Sequence, residues 1–217
     1  MDWKTARLSP LFQGIGEKDL PKLLECLGAS RKTFLKNAAV FSAGAPVEYT
    51  GVLLHGGAQV VYEDVFGNRS ILGELKAGEL FGEAFAFAGL EQLPVSVFTQ
   101  KESEILFLDA RRILRTCASP CGFHRLLVEN MVRILAMKNV TLNNKIRYLS
   151  MRSTREKLLA YLSDQAVAAG GTTFTIPFDR QELADFLCVD RSAMCAQLSR
   201  LKQEGFLDYK RSQFRLL

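Results

Sequence analysis

Residues 179–201 carry two short helical patterns separated by a tight turn. Asp179 and Glu182 have the spacing of a capping box, in which each side chain accepts a hydrogen bond from the other residue's backbone N–H, so a helix is predicted directly after Asp179. The turn falls at Cys188–Asp190, and the Asp190 carboxylate is placed to accept the first free N–H groups of the next helix. Helices this short are stable only if their apolar faces pack, so the segment is restricted to a paired helical unit.

The apolar residues of both predicted helices recur at helical spacing and form the inward faces of the pair. These residues are Leu183, Ala184 and Leu187 in the first helix and Met194, Leu198 and Leu201 in the second. The opposite side of the second helix carries Arg191, Ser192, Ala196, Ser199 and Arg200. This is the pattern of a helix-turn-helix whose second helix enters the major groove of DNA. The alternative is a packed helical pair with no role in DNA binding.

The residues that follow predict a basic β-hairpin. Gly205 precedes the apolar run 206–209, and a second apolar run, 214–217, follows the polar segment Lys210–Gln213. Two short strands around this tip would form a wing beside the helix pair. Caps, turn and basic wing occur in the order of a winged helix, which favours the DNA-binding interpretation.

The sequence argues against a secreted or membrane-spanning protein, and its basic excess is confined to the second half of the chain. The net charge is +5, and the whole excess of Lys and Arg lies after residue 118, in the same half as the helix pair. The start of the chain shows no secretory signal, and no segment approaches the roughly 20 apolar residues of a membrane span. Five cysteines need no disulfide framework in a chain of 217 residues, so a cytoplasmic location is expected.

No motif of the sequence indicates an enzyme. We find no Ser/His/Asp or Cys/His set with a base and an orienting group, and no glycine signature for binding nucleotide phosphates. With only two histidines, the chain has little capacity for general-base catalysis. It is therefore expected not to be an enzyme.

Between about residues 31 and 110, short apolar or alternating runs are punctuated by glycines. This pattern of short runs separated by turns predicts a small β-sandwich or barrel. The predicted strands are Ala39–Phe41, Tyr49–Leu54, Ala58–Glu63, Arg69–Leu75, Val95–Phe98 and Ser103–Leu108.

Residues 123–149 contain neither Pro nor Gly and carry a heptad seam, which predicts a dimerisation helix. The seam residues, with alternating steps of four and three, are Val128, Val132, Leu135, Asn139, Leu142, Ile146 and Leu149. Asn139 is the polar exception and would fix the register between two helices. The alternative is a helix that packs only on its own domain.

A β-roll, a long dimer helix and a winged helix in this order resemble the CRP/FNR superfamily of bacterial transcription regulators. The segment 75–83, ending in Gly82-Glu83, is similar to the family's phosphate-binding cassette, and residues 93–97 resemble the strand that closes it. The resemblance implies an α+β fold, with a β-roll (jelly-roll) sensor domain at 1–118, a dimerisation helix at 119–149 and a winged helix-turn-helix domain at 150–217. It also implies three partners besides an effector: double-stranded operator DNA, a second copy of the chain and RNA polymerase. No membrane is implied.

The expected effector pocket departs from that of the members that bind cyclic AMP. Their phosphate is neutralised by an arginine some ten residues after the Gly-Glu pair, and the matching residue here is Leu93. A buried phosphate without a cationic partner is costly, so cyclic AMP is disfavoured and the effector, which the sequence does not identify, is expected to be small and largely apolar or aromatic. The predicted pocket consists of Phe81, Gly82, Glu83, Phe85, Leu93, Pro94 and Val97, with Thr141 and Leu142 from the long helix. The alternative is that these residues are plain core.

The second helix of the pair also departs from the family. Arg191 matches a position where the family commonly presents an arginine, but Ser192 replaces a frequent glutamate and Ala196 a second arginine found in some members. The family's known target sequences therefore do not transfer to this chain. Candidates for contacts to DNA phosphates are Gln181, Arg200, Lys202, Lys210 and Arg211.

Cys117, Cys121 and His124 lie where the β-roll joins the long helix and offer a different kind of sensor. Two thiolates and an imidazole can bind a metal, or the thiols can form a reversible disulfide. The set lacks a fourth ligand, and the same residues suit the start of a helix, so no metal site is predicted. Three hypotheses remain: an effector-gated regulator, a redox- or metal-responsive regulator, and a constitutive DNA-binding dimer.

Overall fold

In the computed structural model, short strands separated by glycines are followed by long helices from about residue 122, in the order predicted from the sequence. The structure describes residues 5–114 and 122–217. The chain divides into two compact units, Met1–Ala136 and Met137–Leu217, and a single helix runs through the division. The domain boundaries expected at residues 118 and 149 therefore remain predictions.

Two short 3-10 turns, Thr5–Leu8 and Pro10–Phe12, precede the first α-helix. The α-helices are α1 (Leu20–Cys26), α2 (Glu83–Phe87), α3 (Ala110–Leu114), α4 (Gly122–Ser150), α5 (Thr154–Ala169), α6 (Arg180–Leu187) and α7 (Arg191–Gln203). Among the described residues, none of these helices combines the length and the apolar content that crossing a bilayer requires.

The six strands predicted between about residues 31 and 110 are all present, with ends that differ by no more than one residue. The strands are β1 (Ser30–Phe34), β2 (Ala39–Phe41), β3 (Tyr49–His55), β4 (Ala58–Glu63), β5 (Arg69–Leu75), β6 (Leu80–Phe81), β7 (Ser96–Thr99), β8 (Ser103–Asp109), β9 (Thr173–Thr175), β10 (Leu207–Lys210) and β11 (Gln213–Leu216). Strands β1 and β6 were not predicted.

In the part of the chain that the structure describes, strands β1–β8 form two antiparallel sheets in the orders β1-β8-β3-β6 and β2-β7-β4-β5. A core cluster draws on both sheets: Leu53, Phe81, Ile105 and Phe107 come from the first, and Ala58 and Val97 from the second. The expected β-roll is confirmed.

The other face of the first sheet packs against helices. Because side chains alternate along a strand, Val52 and Leu54 point away from Leu53 and join a second core. That core includes residues of α1 together with Leu127 and Met131 from the first half of α4. The β-roll and the start of the long helix therefore share one hydrophobic core.

The second unit is built from α5–α7 and a three-stranded sheet in the order β10-β11-β9. Its core contains the apolar faces predicted for the helix pair: Leu183, Ala184, Leu187, Met194, Leu198 and Leu201 are fully buried. The predicted wing is present as β10 and β11, whose paired residues run from Leu207↔Leu216 to Lys210↔Gln213. This unit is a winged helix-turn-helix.

Candidate functional site

Capping hydrogen bonds between nearby residues define where α6 and α7 begin. The Glu182 N–H donates to Asp179 Oδ1 at 2.8 Å, and the Asp179 N–H donates to Glu182 Oε2 at 2.7 Å, so the predicted capping box is confirmed. Helix α6 ends at Cys188, whose backbone is left-handed with φ 49°. Asp190 then caps α7 by accepting from the Ala193 N–H at 2.8 Å. The turn between the helices is thus defined at both ends.

The outward face of α7 carries the side chains proposed for DNA. Arg191, Ser192, Ala196 and Arg200 are exposed. Ser192, Ala196 and Arg200 lie away from the fully buried Met194, whereas Arg191 is the first residue of the helix and lies one turn before Met194. Within the described residues, neither Arg191 nor Arg200 forms an ion pair. Both guanidiniums are therefore available to an anionic partner.

Some predicted phosphate-binding residues are engaged within the fold. The Lys202 ammonium lies 2.5 Å from Asp208 Oδ1, and this hydrogen bond and charge raise the pKa of Lys202. Gln181 donates to Asp185 Oδ1 at 2.9 Å. Lys210, by contrast, is exposed and makes no ion pair among the residues that the structure describes. Contact of Lys202 or Gln181 with DNA would require these side chains to exchange partners.

The wing is tied to the start of α6 by Arg180, a residue that the sequence analysis did not select. Its guanidinium lies 4.9 Å from the Tyr209 ring centroid and 5.2 Å from that of Phe214, and it donates to the Arg211 carbonyl at 2.8 Å. Arg211 itself is exposed at the wing tip with a left-handed backbone, φ 54°. The contact joins residues more than twenty positions apart, and no local pattern signals it.

In the β-roll, several predicted pocket residues belong to the core. Phe81 and Val97 are buried between the sheets, and Glu83 is 2% exposed at the start of α2, after Gly82 with φ 79°. Phe85 is half-buried and Pro94 is exposed. Thr141 and Leu142 lie in the other compact unit, where both are exposed.

A cleft of about 410 Å³ opens beside this core, and of the predicted pocket residues only Leu93 lines it. Its walls come from β1, β2, the loop after β2, the start of β3, the loop before β7 and β8. The lining residues are Ser30, Lys32, Phe34, Val40, Phe41, Ser42, Ala45, Pro46, Tyr49, Leu93 and Phe107. The cleft is thus displaced from the predicted pocket toward β1, a strand that carries no apolar run and was not predicted.

The heptad seam of α4 is partly exposed in the single chain. Val132, Leu142 and Ile146 are 61%, 59% and 63% exposed, whereas Leu135 packs against the core of the first unit. Asn139 accepts a hydrogen bond from Asn143 one turn later, at 2.8 Å. A long helix with large exposed apolar residues at heptad positions suits a partner helix.

The proposed sensor at the start of the long helix is only partly described. Cys117 and Cys121 lie outside the described residues. His124 is 6% exposed, and its Nε2 lies 2.9 Å from the Ile113 carbonyl oxygen. In the described ranges, no three His, Cys, Asp or Glu side chains are grouped so that they could hold a metal ion.

Two family models match this chain. A model described as cyclic nucleotide-binding domain matches residues 31–119, and one described as Crp-like helix-turn-helix domain matches residues 156–217. Together they cover both the β-roll and the winged helix.

Individual relatives agree with these matches. The protein named "Probable transcriptional regulator flp" from Lacticaseibacillus casei is 33% identical over 93 residues, which are 43% of this chain and 40% of that protein. The catabolite activator protein of Thermus thermophilus has a TM-score of 0.54 and 22% identity, over 96% of this chain and 94% of that chain. The c-di-GMP responsive global regulator CLP of Xanthomonas campestris has a TM-score of 0.52 and 19% identity, over 93% and 99%. At these identities the structural likeness shows the fold, and the chain spans about two fifths of the curated relative.

Proposed function

We propose, from the premise that this chain belongs to the CRP/FNR family of transcription regulators, that it binds operator DNA as a homodimer and that a small effector other than cyclic AMP gates this binding. The observation that carries the proposal is the capped α6–α7 pair. Its second helix buries one face and exposes two arginines, Arg191 at its start and Arg200 near its end, and neither forms an ion pair within the part of the chain that the structure describes. A regulator of this kind acts in the cytoplasm, where operators and RNA polymerase are found.

The charged residues of the second unit would contact two different parts of the DNA, the bases and the phosphates. Arg191, in the first turn of α7, would donate two of its guanidinium N–H groups to the N7 and O6 of guanine in the major groove. Arg200 and Lys210 suit phosphates, which set the position of the protein without reading sequence. Ser192 and Ala196 differ from common family residues, so the operator sequence would be this protein's own.

Dimerisation would bury the exposed apolar residues of α4. Val132, Leu142 and Ile146 lie at heptad positions on a helix of 29 residues, long enough for a two-stranded coiled coil. Two copies joined in this way would present two α7 helices to successive major grooves, about 34–36 Å apart. An effector in the β-roll would act by changing this spacing.

The exclusion of cyclic AMP rests on Leu93. This residue is 5% exposed and lines the cleft, so the wall carries no charge at the position where the members that bind cyclic AMP have their arginine. The relative CLP is described as responsive to c-di-GMP, and the phosphates of that ligand would likewise meet no arginine at this position. An uncharged side chain at residue 93 favours an effector that is largely apolar.

The test is selection of duplexes from a random-sequence DNA pool by the full chain, followed by anisotropy titrations of the enriched duplex. Arg191→Ala should weaken binding to that duplex by about 1–3 kcal/mol and reduce discrimination at one base pair. Arg152→Ala, an exposed arginine in the turn before α5, is the matched control and should bind like the wild type. Failure to enrich any sequence, or equal losses in both variants, would overturn the proposal.

A further inference from the structure

The cleft beside β1 has several aromatic side chains in its lining. The Phe107 ring is near three of them, with its centroid 6.1 Å from that of Phe34, 5.9 Å from that of Phe41 and 6.5 Å from that of Tyr49. The planes of these rings cross at 58° to 85°, so the rings present edges as well as faces. Aromatic ligands bind well in such surroundings, because edge-to-face and offset contacts are the favoured ring arrangements. A volume of about 410 Å³ lies in the range of small-molecule sites.

The cleft also carries a single charge. Among the described residues that line it, Lys32 is the only ionisable cation, and none is acidic. The Lys32 ammonium lies 5.6 Å from the Phe107 ring centroid, so the charge sits above the aromatic wall. An anion at this position would meet a cation that no lining carboxylate neutralises.

Strand geometry keeps the neighbouring charges away from this lysine. Ser30, Lys32 and Phe34 alternate along β1 and face the cleft, so the intervening Arg31 points to the other side of the sheet. Arg31 pairs there with Glu104 of β8 at 2.5 Å. The Glu104 carboxylate is therefore already paired with Arg31.

We propose that this cleft binds an aromatic carboxylate, with the ring against Phe107 and the carboxylate on Lys32. The proposal rests on the proposed function, because it names the class of effector that the β-roll takes. An apolar ring with one negative charge matches a cleft of aromatic and aliphatic walls with one cation at its edge. A nucleotide fits less well, since the lining has no carboxylate to accept hydrogen bonds from ribose hydroxyls.

The experiment is isothermal titration of the full chain with 1-naphthylacetate, its neutral isostere 1-naphthylacetamide, and cyclic AMP. The carboxylate should bind at least about tenfold more tightly than the amide, since a charge-assisted hydrogen bond replaces a neutral one. Lys32→Met should remove this preference and Lys32→Arg should keep it. Lys36→Met changes an exposed lysine that does not line the cleft, and it should bind like the wild type.

Three results would overturn the proposal: equal binding of acid and amide, a preference that survives Lys32→Met, or binding of cyclic AMP tighter than that of the carboxylate. Titration of the selected duplex separates this proposal from the proposed function. Specific DNA binding without the carboxylate preference would refute the ligand class alone. The carboxylate preference without specific DNA binding would refute the regulator role alone.

Discussion

Arg180 and Tyr209 connect α6 to the wing of the second unit: the Arg180 guanidinium carbon lies 4.9 Å from the Tyr209 ring centroid. The same side chain lies over Phe214 and donates to the carbonyl of Arg211 at the wing tip. A planar guanidinium can stack on rings and donate sideways at once, which an ammonium cannot. The orientation of the wing therefore depends on a residue that itself need not touch DNA.

Replacing this arginine should loosen the wing. Arg180→Ala is expected to lower the free energy of unfolding of the second unit by about 1–2 kcal/mol, from the loss of the ring contacts and of one charged hydrogen bond. Arg180→Lys should recover only part of the loss, because lysine cannot stack and donate in the same geometry. Urea unfolding checks both values, with Arg152→Ala as the control. Equal stability of Arg180→Ala and the control would contradict this role.

The DNA-binding unit was predictable because its signals are local. The Asp179–Glu182 capping box and the Asp190 cap are separated by only a few residues from the groups they bind, so sequence spacing alone defines them. The predicted strands were found for the same reason, since alternation and glycine breaks are local patterns.

The cleft could not be predicted from the sequence, because it depends on pairing between residues that are far apart in the chain. Strand β1, with the sequence Ser-Arg-Lys-Thr-Phe, has no apolar run and exists because it pairs with β8, more than seventy residues later. Strand β6 is two residues long and leaves no pattern to detect. The cleft needs β1 as a wall, so a pocket drawn from family motifs alone missed Lys32 and Phe107.

A lysine on the wing offers a test of DNA docking that does not involve base recognition. Lys210→Ala should weaken binding to specific and random duplexes alike and should reduce the slope of log K against log salt by about 0.9. Lys36→Ala, in the β-roll, should leave the slope unchanged. Anisotropy titrations over a range of salt concentrations measure both slopes. An unchanged slope in Lys210→Ala would place the wing away from the phosphates.

The dimer proposal predicts that a charge on the exposed seam separates the two copies. Ile146→Glu places a carboxylate at a heptad position that is 63% exposed in the single chain, and burying it against a partner helix would be costly. The variant should elute as a folded monomer and bind the selected duplex weakly. Val167→Glu, on α5 and 78% exposed, should remain a dimer. Light scattering gives the masses, and a dimeric Ile146→Glu would exclude this seam.

The interior of the β-roll depends on a close approach between a glycine and an aromatic ring. A Cβ on Gly51 would lie 2.2 Å from the Phe81 ring, so Gly51→Ala should destabilise the first unit by about 1–3 kcal/mol. Gly73→Ala is the control, because a Cβ at that strand position meets no atom of the described residues within 4 Å. Thermal unfolding distinguishes the two variants. Equal midpoints would mean that Phe81 can move aside.

The cap of α7 predicts a dependence of stability on pH. A hydrogen bond from the Ser192 hydroxyl, followed by one from the Ala193 N–H, holds the pKa of Asp190 below its usual value of 3.8. Because the folded pKa is the lower one, the ionised carboxylate stabilises the fold above the unfolded pKa, and this contribution is lost as the pH falls through the folded pKa.

Two variants isolate this effect. Asp190→Asn keeps a capping oxygen without the charge, so its deficit in unfolding temperature should be full at about pH 7 and should disappear as the pH falls through the lowered folded pKa of Asp190. Ser192→Ala removes the largest cause, and the pKa of Asp190, followed by NMR of the carboxyl carbon, should rise toward 3.8. Ser199→Ala alters a hydroxyl that lies near Tyr209 instead and should leave this pKa unchanged. If Asp190 has the same pKa in Ser192→Ala and Ser199→Ala, the Ser192 hydroxyl does not lower that pKa. The capping of α7 by Asp190 would then depend on the Ala193 N–H alone.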